Sequence, residues 1–202
     1  MTSTMIKKPV ESYSVYKGIS ELKRIRLSTS IAFDTETLQI QPEKGKLRLI
    51  QLGCNLTKTI VVIDCFDLSL DDWDVLKHFF HSINRFWLAH NAVFDLGWLQ
   101  EHDIYPKGAV KCSFLANRLL YNGISEIKHG LDAVAKKHLN IIVSKEQQKS
   151  NWGAEVLSTE QLTYAAKDIE ILLRLDNILN SKIFKADLFK AYDLECKVLP
   201  AM

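Results

Sequence analysis

Asp34 and Glu36 stand two apart in the apolar run Ile31-Ala32-Phe33-Asp34-Thr35-Glu36-Thr37, so on a strand both side chains leave the same face. Two carboxylates are then aimed at one point. A half-solvated strand shows the same alternation, and the pair gains meaning only from company. Asp95 follows His90-Asn91-Ala92-Val93-Phe94 and precedes Leu96-Gly97-Trp98-Leu99. That is the first turn of a helix, where an acid also suits the helix dipole. Tyr164 and Asp168 are four apart and share a helix face, as residues at the border of an amphipathic helix also do. Gathered in one place, such oxygen donors select hard cations such as Mg²⁺ or Mn²⁺. Without a cation, four acids would repel one another.

The elements that must position these residues follow from periodicity. Ile31 to Thr37, Lys46 to Cys54, Thr59 to Cys65 and Phe86 to Ala89 are rich in β-branched and apolar residues and are predicted strands, the first three successive and antiparallel. Turn material such as Gln41-Pro42-Glu43-Lys44-Gly45 separates them. Apolar residues at three- and four-residue intervals predict helices over Asp71 to Ser82, Val93 to Glu101, Ser113 to Tyr121, Leu131 to Leu139 and Thr159 to Ile183. Ser158 and Gln161 form a capping box at the start of the longest, which sets the phase of Tyr164 and Asp168. Asn140 to Ser158 is polar, carries Gly153 and is predicted to be a loop. Within it, Trp152 and Lys145 to Lys149 are placed to touch a ligand, although a solvated lysine-bearing loop has the same composition. A sheet with helices packed around it is the architecture that results.

The totals bound the answer further. A chain of 202 residues, 47% hydrophobic and 25% charged with 8 Gly and 4 Pro, is long enough for one sizeable core and unlike disordered or fibrous chains. A net charge of +2 excludes a uniform positive coat for a polyanion, so any nucleic-acid site must be local or carried by metal. Cys54, Cys65, Cys112 and Cys196 are scattered without a Cys-x-x-Cys pair, which predicts buried thiols rather than a zinc site or disulfides. No apolar stretch follows Lys7 and Lys8, and none approaches a membrane span. The expectation is a soluble, cytoplasmic protein without a signal peptide.

In their order, Phe33-Asp34-Thr35-Glu36-Thr37, then Ala89-His90-Asn91-Ala92-Val93-Phe94-Asp95, then Tyr164-Ala165-Ala166-Lys167-Asp168, these segments resemble the three exonuclease motifs of the DEDD superfamily. The resemblance runs from about residue 12 to 183 and includes Gly45 to Leu52 and Gln148 to Trp152. Its histidine branch would place His where Thr163 stands, so the tyrosine branch is the match. The resemblance implies an α/β, ribonuclease H-like fold, a mixed central sheet with helices on both faces, as a single exonuclease domain over 1–202. It implies two-metal hydrolysis of phosphodiesters from a 3′ end. Asp34, Glu36 and Asp168 would hold the first of two Mg²⁺ or Mn²⁺ ions, Asp34 would bridge to the second, and Asp95 would support that one through water. Tyr164 would orient the attacking water, since a phenol of pKa ~10 is a poor base near neutrality. Ile40 would lie against the terminal base, and Asn91 and Phe94 near the last nucleotides, with Thr35 and His90 beside them. Phe94 stands where many relatives carry tyrosine, which leaves stacking without a hydroxyl.

The second half of the chain is similar both to the proofreading exonuclease of family A DNA polymerases and to ribonuclease D. Leu194-Glu195-Cys196-Lys197-Val198-Leu199-Pro200-Ala201-Met202 resembles the junction between the exonuclease and polymerase domains, which implies DNA as substrate, single-stranded or frayed, and a polymerase domain or partner. A ribonuclease D-like exoribonuclease is the alternative. A silent nucleic-acid-binding domain is a third, set against the presence of all four acids and the tyrosine.

Overall fold

The computed structural model describes residues 4–5, 13–42, 45–144 and 146–199. Outside them lie residues 1–3 and 6–12, Glu43 and Lys44 of the expected turn, Lys145 of the expected loop, and residues 200–202 of the expected junction.

In chain order the elements are β1 (Thr4–Met5), β2 (Ser14–Lys17), β3 (Ser30–Thr37), β4 (Leu47–Cys54), β5 (Thr59–Asp64), α1 (Leu70–Ser82), β6 (Arg85–Ala89), α2 (Ala92–Gln100), β7 (Gly108–Cys112), α3 (Ser113–Leu120), α4 (Leu131–Leu139), α5 (Thr159–Lys185) and α6 (Phe189–Val198). The strands form one mixed sheet in the order β1-β2-β5-β4-β3-β6-β7. β3, β4 and β5 are antiparallel as expected, whereas β2 runs parallel to β5, and β6 and β7 run parallel to β3. β1, β2 and β7 are additions to the sequence expectation. The long polar loop contains a 3-10 turn over Gln147–Lys149. Of the C-terminal stretch, residues 184–199 are described and hold the end of α5, followed by α6.

Alternation along the central strands builds two cores. Ile31 and Phe33 of β3, Ile50 and Leu52 of β4, and Val61 and Ile63 of β5 face one side, against Phe79 and Phe80 of α1, Leu96 and Leu99 of α2, and Trp87. There the rings of Phe80 and Trp87 stack 4.6 Å apart. Ala32, Leu49, Ile60 and Val62 face the other side, where Ala165, Ala166, Ile169 and Leu172 of α5 cover them. A Cβ at Gly53 would come within 2.5 Å of Ile169 Cγ2, so α5 rests directly on β4.

One irregularity matters to the site. Glu36 pairs with Leu49 and Thr37 with Leu47, which leaves Arg48 as the extra residue of a bulge. Bulges re-aim side chains. The buried Arg48 guanidinium pairs with Asp64, Nε lying 2.9 Å from Oδ1 and Nη2 2.9 Å from Oδ2, and its Nη1 donates to the Ala154 carbonyl at 2.6 Å. The segment leading into α5 is thereby tied to the sheet. All four cysteines are free and buried. Among the described residues no helix is long and apolar enough to cross a membrane.

Candidate active site

Asp34 and Glu36 lie on the same face of β3 as Ala32, the face that α5 covers. The capping box at Ser158 and Gln161 fixes where α5 begins. Gln161 also donates through Nε2 to Ser150 Oγ at 3.0 Å and to the Asn151 carbonyl at 3.2 Å. With the phase of α5 set, Asp168 comes down onto the strand pair. One carboxylate oxygen each from Asp34, Glu36 and Asp168 lies within 4.8 Å of the others.

Asp95 enters differently. Asn91 caps α2 in the left-handed conformation, with φ at 55°, a region that asparagine tolerates better than most residues. This sharp entry from β6 puts Asp95 in the first turn. Its carboxylate is buried and accepts a 2.6 Å hydrogen bond from the Thr35 hydroxyl. Thr35 was expected at the substrate; its hydroxyl is engaged with Asp95. Among the described residues Asp95 is not in the group of three that share mutual reach.

The charges are in tension. Burial raises the Asp34 carboxyl to about 7 against a backbone hydrogen bond from Thr35. Burial first, and then the neighbouring carboxylates, hold Glu36, Asp168 and Asp95 well above the ordinary carboxylate range. A hard divalent cation among these all-oxygen donors would relieve every one of these shifts, so the set fits such an ion. Burial and the charges of Asp168, Glu36 and Asp34 push the Tyr164 phenol up, which keeps it protonated and able to donate a hydrogen bond to Asp168.

The acids open onto a cleft of about 970 Å³ lined also by Ile40, His90, Asn91, Phe94, Lys149 and Tyr164. Ile40 stands exposed at its rim, and Phe94 is half-buried with its ring edge toward Trp98. His90 is held by Ser113 through Nδ1 at 2.9 Å, and burial lowers it to about 4, so the ring is neutral. Trp152 is not a surface contact on the loop. It is 5% exposed and packs 6.4 Å from the Tyr164 ring. Lys149 remains exposed at the cleft. Phe114 and Asp132 also line it and were not singled out in the sequence. Asp132 repeats the pattern of an acid in a first helical turn, and that was the available signal.

The chain is similar to known nucleases in sequence and in fold. A family model described as 3′-5′ exonuclease matches residues 11–183. Among curated proteins, DNA polymerase I of Aquifex aeolicus is 28% identical over 88% of this chain and 30% of its own length. Ribonuclease D of Haemophilus influenzae is 30% identical over 86% of this chain and 42% of its own length. The chain thus spans less than half of either relative. Among solved structures, a nuclease in its apo form has TM-score 0.78 at 29% identity, covering 92% of this chain and 88% of that one. NrnC of Brucella melitensis bound to pGG has TM-score 0.75 at 27% identity, covering 87% and 83%. The same protein with bound Mg²⁺ has TM-score 0.72 at 28% identity, covering 87% and 84%. The fold is the ribonuclease H-like one.

Proposed function

We propose, on the premise that this chain belongs to the 3′-5′ exonuclease family, that its residues form a single domain that removes nucleotides from the 3′ end of DNA, single-stranded or frayed, with two divalent ions, Mg²⁺ or Mn²⁺. The observation that carries this reading is the convergence of Asp34, Glu36 and Asp168 within 4.8 Å beside Tyr164, at the floor of an open cleft.

Asp34, Glu36 and Asp168 would hold one ion, and Asp34 with Asp95 the other. When bound, the ions lower the pKa of the attacking water and offset charge on the phosphate and leaving oxygen. Tyr164, protonated, orients that water by hydrogen bonding and does not take its proton. Ile40 and Phe94 supply apolar surface for the terminal bases, an arrangement that suits unpaired strands because any base can stack. Asn91, the neutral His90 and Thr35 also line the cleft. The Mg²⁺-bound and pGG-bound neighbours support an ion and a nucleic-acid ligand in this cleft. The polymerase relative supports a proofreading role, with a polymerase domain or partner presenting the frayed end. The ribonuclease D relative supports RNA as a second reading.

The test is digestion of 5′-labelled single-stranded DNA and RNA with Mg²⁺, Mn²⁺ or EDTA. The reading expects stepwise shortening from the 3′ end, abolished by EDTA and by the Asp34→Ala, Glu36→Ala double substitution. Equal digestion by that variant would place the chemistry elsewhere, and preference for RNA would select the second reading.

A further inference from the structure

Gln51 lies in the middle of β4, directly opposite Asp34 in the antiparallel ladder and opposite Val62 of β5. Opposed residues in such a ladder project to the same face, with Cβ atoms ~4.5–5.5 Å apart. The Gln51 side chain therefore stands beside Asp34, on the face of the sheet that α5 covers. Its neighbours along β4 on that face are Leu49, in the core beneath α5, and Gly53, against which Ile169 is packed.

Gln51 is fully buried, and neither Nε2 nor Oε1 has a hydrogen-bond partner. Among the described residues it is the only side chain with both ends of an amide in that condition. Leaving a buried polar group unpaired costs about 1–3 kcal/mol. A methionine would fill nearly the same volume without that cost, so packing alone does not account for a glutamine here. Unpaired buried groups in folded proteins ordinarily mark an ordered water or an ion, and a buried water needs two to four polar partners. The carboxamide offers two, and the Asp34 carboxylate beside it, with the Asp168 carboxylate clustered on Asp34, offers the others.

We infer that Gln51 is a positioning residue for the acidic cluster. Its amide holds a buried water that hydrogen-bonds the rear of the Asp34 and Asp168 carboxylates and fixes their orientation toward the cation. The amide N–H donates to the water, and the water donates to the carboxylate oxygen turned away from the cleft. Groups that orient metal-binding carboxylates in this way are commonly worth about 10- to 100-fold in metal affinity or activity. The inference rests on the metal-dependent reading of the same site.

The test compares wild type, Gln51→Met, and Asp34→Ala by three measurements: thermal melting in EDTA, Mn²⁺ affinity by electron paramagnetic resonance, and kcat and KM on labelled oligonucleotides. For Gln51→Met the expected result is a melting temperature equal to or above wild type, Mn²⁺ affinity about tenfold weaker, and kcat lowered with KM little changed. Wild-type Mn²⁺ affinity and kcat in Gln51→Met would overturn the inference, as would a lowered melting temperature with unchanged affinity, which marks a packing residue. If Gln51→Met does not fold, Gln51→Asn carries the same readings, since it keeps the amide but withdraws it from the carboxylates, and wild-type affinity there overturns the inference. Asp34→Ala separates the two claims: if it binds Mn²⁺ and turns over like wild type, the metal site itself is wrong.

Discussion

The Thr35 hydroxyl donates to Oδ1 of Asp95 across 2.6 Å, joining the strand that carries two of the acids to the helix that carries a third. Thr35 points away from Asp34 and Glu36, so one short segment presents two carboxylates on one face of the sheet and steadies another from the opposite face.

Thr35→Val keeps the shape of the side chain and removes this bond. The buried Asp95 carboxylate loses one of its donors and keeps backbone ones, a cost of about 1–3 kcal/mol, or a fall in melting temperature on the order of 2–10 °C. Turnover on a labelled single strand is expected to fall about tenfold, with binding of a non-cleavable strand retained. Wild-type kcat in this variant would show that Asp95 needs no such support.

Tyr164→Phe removes the hydroxyl and leaves the ring packed on Trp152. Hydrolysis is expected to slow by about 10²-fold or more, while Mn²⁺ affinity stays near wild type. Because the phenol is held up rather than lowered, the pH–rate profile should show no ionisation of this tyrosine in the neutral range. Lost metal binding in Tyr164→Phe would contradict the role assigned to it.

Stability without metal should depend on pH. Burial holds the folded Asp34 carboxyl at about 7 against a reference of 3.8, so the folded state favours the protonated form. The stability this contributes is full below the reference value and is lost as pH climbs through about 7. In EDTA, the melting temperature of wild type should therefore decline from pH 4 to pH 8 more steeply than that of Asp34→Asn. Added Mg²⁺ should restore it most at the upper end. Parallel curves for the two proteins would remove Asp34 as the source.

Arg48→Met removes the tie between the bulge and the segment before α5. The Ala154 carbonyl and Asp64 both lose a charged donor. Limited proteolysis is expected to cut within 146–157 faster than in wild type, and KM for the strand should rise because Lys149 and Ser150 line the cleft. An unchanged cleavage pattern would show that Gln161 alone holds this segment.

Much of this was legible in the chain. The strand-borne acids, the helix-start acid and the capping box are local patterns, and local patterns survive folding because they arise from backbone periodicity. β2 and β7 were not legible, being four and five residues long and without clean alternation. The Thr35–Asp95 bond and the burial of Trp152 beneath α5 join segments distant along the chain, which no spacing records. Lys149 and Trp152 sit three apart in one polar loop, yet one stays in solvent and the other enters the core. Only the docked position of Tyr164 and Leu157 decides between them.

Asp34 comes from β3 and Asp168 from α5, with β4 to β7 lying between them in the chain. With the sheet formed but α5 not yet docked, the site would lack Asp168 and Tyr164, and the cutting proposed for the complete site would have neither. On the proposed reading, activity would then wait for a contact that closes a long loop, which belongs to the slow class of folding contacts.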